Sequence, residues 1–131
     1  MGKVVLDSSV LLGLLDAQDA LHQASVEALD RREKSAFVVP ASAFAEVMVG
    51  ARRLGERTAQ RLEETIDDLV SEVYPIDRKV AWATAGIRAR RKEIRLPDAL
   101  VIATGEVLDA EVLTGDKRWQ GEPGRVTVIG P

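Results

Sequence analysis

The chain has 131 residues, 46% of them hydrophobic and 30% charged, and carries a net charge of −3. That length suits a single domain over residues 1–131 with a sizeable core, and the composition is that of an ordinary soluble globule rather than a disordered tail. A negative total argues against a nucleic-acid coat protein, yet leaves room for an enzyme that meets nucleic acid through a local basic patch. Without cysteine there is no disulfide framework and no thiolate metal site, and cytoplasmic residence is the expectation. No membrane association is expected. No stretch is long and uncharged enough to span a bilayer, Asp7 interrupts the apolar start that a signal peptide needs, and Leu6 stands where a myristoylation signal wants Ser or Thr.

Lys3 to Asp7 opens the chain as a short strand, its apolar residues Val4, Val5 and Leu6 consecutive as in a strand buried on both faces. It ends on a carboxylate, where open α/β sheets place their chemistry. Asp7 would serve equally well as the N-cap of the helix expected over Ser8 to Asp16. A second helix is expected from about Asp19 to Lys34, with Leu21, Ala24, Val26, Ala28 and Leu29 as its apolar face. Phe37 to Val39 reads as the second strand, stopped by Pro40. Helix three covers Ala41 to Leu54, with Phe44, Val47, Met48, Ala51 and Leu54 on one stripe and Gly55 breaking it. Leu62, Ile66, Leu69 and Val73 mark a fourth helix leading into strand three, Glu72 to Ile76. Asp77 reads as the N-cap of a fifth helix that runs to about Lys92. Leu96-Pro97-Asp98 opens the sixth, with Pro in its first turn and an apolar body, Ala99 to Leu108, that should be buried. Glu111 to Thr114 and Arg125 to Ile129 complete the strands.

Strands separated by helices predict an α/β/α sandwich around a five-stranded parallel sheet. In such a sheet the strand C-termini and the following helix N-termini share one edge. Asp7 and Asp116 end strands, Asp98 lies in the first turn of helix six and Glu46 in the second turn of helix three, so all should gather there. Each alone also fits a plainer role. Asp98 would favour a helix dipole, Asp116 after Gly115 would suit a turn, and Glu46, off the apolar stripe, would suit solvent. Gathered, they could not all stay ionised unaided. An oxygen-rich acidic site resolves this with a hard cation such as Mg²⁺ or Mn²⁺, which acidifies water and neutralises phosphate charge.

Four stretches carry a family resemblance: Val5-Leu6-Asp7-Ser8-Ser9-Val10-Leu11-Leu12, Ala41-Ser42-Ala43-Phe44-Ala45-Glu46-Val47, Leu96-Pro97-Asp98-Ala99-Leu100-Val101-Ile102-Ala103 and Leu113-Thr114-Gly115-Asp116-Lys117-Arg118-Trp119. In this order they resemble the PIN domain, and specifically the VapC-type toxins of toxin–antitoxin pairs. The resemblance implies a Mg²⁺- or Mn²⁺-dependent endoribonuclease that hydrolyses RNA phosphodiesters with metal-activated water. Asp7, Glu46, Asp98 and Asp116 match the family's acidic quartet, and Ser9 and Thr114 match small polar positions that orient it. Arg118 and Trp119 stand where some relatives carry a further acid, which departs from a second metal held wholly by protein. The resemblance also implies a cognate antitoxin, lying in a groove beside helices two to four, and a homodimer.

RNA needs cations to hold it. Arg88, Arg90, Arg91, Lys92 and Arg95, with Lys117 and Arg118, are candidate phosphate contacts, though a basic helix end is commonly a solvated terminus. His22, the only histidine, is expected at the surface or in helix packing, and Trp82, Trp119 and Tyr74 in packing. Two other functions share some of these features. A haloacid-dehalogenase-like phosphatase shares the strand ending in Asp and the Gly-Asp pair, but Ser9 occupies the place of its second Asp. A non-catalytic binding module on a PIN-like fold would not need the quartet.

Overall fold

The computed structural model describes residues 2–121 and 124–131. Its elements are β1 (Lys3–Leu6), α1 (Ser8–Leu15), α2 (His22–Asp30), β2 (Ala36–Pro40), α3 (Ala41–Leu54), α4 (Glu56–Leu69), β3 (Glu72–Tyr74), α5 (Arg78–Arg90), α6 (Leu96–Leu108), β4 (Glu111–Thr114) and β5 (Val126–Val128). A 3-10 turn, Lys117–Trp119, follows β4.

The strands form one sheet of order β3-β2-β1-β4-β5, every pair parallel. This is the expected α/β/α sandwich. β1 lies at its centre, and Val4, Val5 and Leu6 are at most 4% exposed, as a strand covered on both faces requires. Burying each contributes about 1.5–3 kcal/mol. From β1 the chain winds outward through β2 and β3, then returns to β4 and β5 on the other side. Strand order therefore reverses between β1 and β4, the switch point at which parallel sheets leave a crevice beyond the strand C-termini. Asp7 extends this ladder by donating its backbone N–H to Leu113 O at 3.0 Å.

Several boundaries differ from expectation, each for a local reason. α2 begins three residues late because the Asp19 side chain accepts the Leu21 N–H at 2.8 Å and turns the chain first. Pro40 is the last residue of β2, opposite Tyr74, rather than the first residue beyond it. β3 ends at Tyr74, before Pro75, and β5 is a residue shorter at each end. α5 stops at Arg90, and Asp77 caps it as expected, accepting the Val80 N–H at 2.9 Å.

The stripe of α3 is rotated from the one expected. Ala43, Val47 and Ala51 face the core, Phe44 and Met48 are half-buried, and Leu54 is 77% exposed beside Gly55. Gly55 has φ 131°, a conformation that only glycine adopts cheaply, and its N–H closes on Arg52 O. Trp82 also departs from expectation. It is 81% exposed on α5, because Val80, Thr84 and Ile87 take that helix's buried face. Among the described residues, no helix is long and apolar enough to cross a membrane.

Candidate active site

Asp7 stands at the switch point and is only 7% exposed. Its backbone occupies the N-cap position of α1, but its side chain makes no capping bond. The carboxylate turns instead across the crevice. Its Oδ2 accepts the Ser9 hydroxyl at 2.9 Å and the Thr114 hydroxyl at 2.8 Å. Both hydroxyls are themselves held, since Ser9 Oγ accepts the Gly115 N–H and Thr114 Oγ1 the Asp116 N–H, each at 3.0 Å. One oxygen of Asp7 is thereby saturated. Its Oδ1 receives no hydrogen bond among the described residues. The network fixes the end of β1 to the end of β4 without neutralising the charge it surrounds.

Gly115 lets Leu21 pack close against this junction, for a Cβ there would meet Leu21 Cδ1 at 2.3 Å and push that side chain aside. Ser9 thus has a structural occupation in the position where a haloacid-dehalogenase-like phosphatase would carry its acid–base carboxylate.

Asp98 projects from the first turn of α6, behind Pro97, and Glu46 from the second turn of α3. Both carboxyls lie above the ordinary carboxylate range. Partial desolvation is the first cause for each, followed by the negative charge of Asp7. Asp98 also raises Glu46, and Asp116 raises Asp98, while Arg95 lowers both Glu46 and Asp98. Asp116 moves the other way. The Arg118 guanidinium on its carboxylate holds it below the usual range.

That contact is a fork. Arg118 donates Nη2 to Asp116 Oδ2 at 2.6 Å and Nε to both oxygens at 3.0 and 3.1 Å, while its backbone N–H donates to Oδ1 at 2.9 Å. The same Nη2 lies 3.9 Å from Asp98 Oδ2. The acids therefore gather at one edge and sense one another, as expected. Among the described residues, however, no three acidic or histidine side chains close on a common point as a ready set of metal ligands. The donor chemistry fits a hard cation, for it is all carboxylate oxygen. Arg118 stands in for part of that positive charge on the Asp98–Asp116 side.

The candidate RNA contacts divide. Arg95 acts electrostatically on Glu46, Asp98 and Asp116, and Arg118 touches the site. Arg88 instead donates to Ile94 O at 2.9 Å, and Arg91 pairs with Glu93, so both brace the loop before α6. Arg90, Lys92 and Lys117 are exposed. A cavity of about 220 Å³ opens beside Asp98, lined by Arg91, Glu93, Ile94, Arg118 and Trp119. Trp119 is buried there as expected, Tyr74 is half-buried, and His22 packs between helices with Nδ1 2.8 Å from Gly13 O. Arg118, a candidate phosphate contact by sequence, instead grips Asp116. The two-residue spacing was the available signal, but only the 3-10 turn makes it close.

A parallel sheet with carboxylates crowded at its switch point defines an α/β protein with an oxygen-donor acidic site. The PIN-domain family model matches residues 4–121, and the chain belongs to that family. No curated relative matches it by sequence. Among solved structures, the toxin–antitoxin complex from Klebsiella pneumoniae contains a chain 24% identical, with 95% of this chain and 96% of that one covered at TM-score 0.76. FitAcB from Neisseria gonorrhoeae is 28% identical over 86% and 87% of the two chains, TM-score 0.71. Mycobacterium tuberculosis VapC20, described as a toxin cleaving the sarcin-ricin loop, is 17% identical over 98% and 99%, TM-score 0.74. The fold is that of VapC-type toxins.

Proposed function

We propose that the chain is a Mg²⁺- or Mn²⁺-dependent endoribonuclease and the toxin of a toxin–antitoxin pair. The observation that carries the reading is Asp7, whose buried carboxylate forgoes helix capping and is aimed by Ser9 and Thr114 among acids that raise one another. Such an arrangement is costly unless a cation relieves it. Asp7, Glu46, Asp98 and Asp116 would hold that cation, directly or through water. A divalent ion held there supplies Lewis acidity, acidifying water and neutralising phosphate charge.

The remaining work belongs to the chain. Asp7 keeps its free oxygen in one direction because its other oxygen is saturated. Glu46, with its carboxyl raised, suits removal of a proton from the attacking water. Arg95 and Arg118 supply positive charge for the RNA backbone beside the acids. In-line attack on the scissile phosphate leaves a 5′-phosphate and a 3′-hydroxyl.

A partner is supported by an apolar groove of about 420 Å³ lined by Leu12, Leu15, Val47, Ala51, Leu54 and Leu62, which lies between α1, α3 and α4 and takes no residue from α2, unlike the groove expected beside helices two to four. Leu12 and Leu54 are exposed there, as suits a surface covered by another protein. A cognate antitoxin is the occupant proposed, and homodimerisation accompanies it. The Klebsiella relative was solved as a toxin–antitoxin complex.

Incubating the purified chain with a labelled RNA pool tests the reading. Fragments should form in Mn²⁺, and fail to form in EDTA or with a folded Asp7→Asn variant. Undiminished cleavage in either would contradict it. Growth arrest that depends on Asp7 would separate the nuclease from a non-catalytic module.

A further inference from the structure

We propose that Arg118 is a tethered cation that competes with the divalent ion for the acidic edge, so that the ligand set closes only when the guanidinium is displaced. The inference rests on the reading that this edge binds a divalent cation, and concerns how that binding is regulated.

Geometry carries it. One guanidinium nitrogen spans acids from two elements, 2.6 Å from Asp116 Oδ2 on the 3-10 turn and 3.9 Å from Asp98 Oδ2 on α6. Nε engages both Asp116 oxygens, so little of that carboxylate's lone-pair capacity stays open to a metal. With Arg118 in this position, no three acids among the described residues close on a common point.

Asp7 differs, for its partners are hydroxyls and no cation pairs with it among the described residues. A divalent ion attracted by Asp7, Glu46 and Asp98 meets a positive charge on the far side of Asp98. The two must either repel or exchange.

The anchoring favours exchange. The Arg118 backbone is fixed by the Asp116 side chain and by Trp119, buried behind it, whereas the Arg118 side chain is 68% exposed. Swinging out breaks no core packing. An exposed ion pair is a weak competitor, so removing it should tighten metal binding about two- to fivefold rather than by orders of magnitude. Once displaced, the guanidinium remains tethered beside the site as a phosphate ligand.

Calorimetric titration of Mn²⁺ into the full chain tests this, with circular dichroism confirming the fold of each variant. Arg118→Gln should bind Mn²⁺ about two- to fivefold more tightly than wild type. Arg118→Lys, which keeps the charge and loses the fork, should fall between the two. Adding Asp116→Asn to Arg118→Gln should cancel the gain. RNA retention at fixed Mn²⁺ should move the opposite way, weakening in Arg118→Gln. An affinity in Arg118→Gln equal to or below wild type overturns the proposal. Absence of Mn²⁺ binding by both wild type and Arg118→Gln overturns the metal reading itself, and this inference with it.

Discussion

The two ends of β4 look onto groups of acids that the fold treats differently. At the amino end, Glu111 receives Arg32 Nε at 2.7 Å and Nη2 at 3.0 Å, with the Thr127 hydroxyl at 2.6 Å. Arg32 is tied in turn to Ala28 O, and Glu111 is held below its usual pKa, chiefly by the Arg32 hydrogen bonds. At the carboxyl end, beyond Thr114, Asp116 is likewise lowered by its arginine, but Glu46 on α3 and Asp98 on α6, at the same edge, are held above theirs. A satisfied carboxylate belongs to the structure. A crowded one opposes folding and serves only if positive charge arrives, which is why the second end reads as the functional one.

Breaking each end should therefore give different losses. The largest effect is expected from Asp7→Asn, which should lower cleavage by about three orders of magnitude, or about 4 kcal/mol of barrier, while the melting temperature stays within a few degrees. Glu111→Gln should leave cleavage per folded molecule unchanged. Next comes Arg32→Ala, which strands Glu111 and should cost about 1–3 kcal/mol in denaturant unfolding without affecting cleavage. Loss of activity in Arg32→Ala at full foldedness would erase the distinction.

The smallest effect is in pH. In the metal-free fold, Asp98 binds its proton more tightly than in the unfolded chain. Its ionisation therefore opposes folding above the raised pKa, and the penalty fades as pH falls through that value toward the ordinary one. Glu111, lowered by Arg32, contributes stability that is complete above the ordinary value and is lost as pH falls through the lowered one. Metal-free Asp98→Asn should thus be slightly more stable than wild type at neutral pH, by less than about 1 kcal/mol, and Glu111→Gln less stable. Both differences should shrink in acid. Melting curves across pH would show the opposite signs.

How much of this was legible in the sequence depended on the range of the interaction. β4 and α3 carried their bounds in apolar runs and in Gly55, and the acids' common edge followed from strand–helix alternation alone. The Arg32–Glu111 pair could not be seen, because 79 residues separate the partners and only the closed sheet brings them together. The Arg118 fork was hidden for the opposite reason. It is local, but depends on a three-residue 3-10 turn that leaves no periodic signal. Trp82 misled because aromatic bulk suggests burial, whereas the smaller Val80, Thr84 and Ile87 share the buried face of α5. Ser9 and Thr114 were placed by resemblance. Their convergence on one oxygen of Asp7 needed the register of β1 against β4.

Paramagnetic broadening by substoichiometric Mn²⁺ in amide NMR spectra tests the central claim most directly, since the broadening maps the ion's position. The account predicts that the signals of Asp7, Glu46, Asp98 and Asp116 vanish first while that of Glu111 and the acids of α4 persist. Broadening centred on Glu111 or on α4, or none at all, would contradict it.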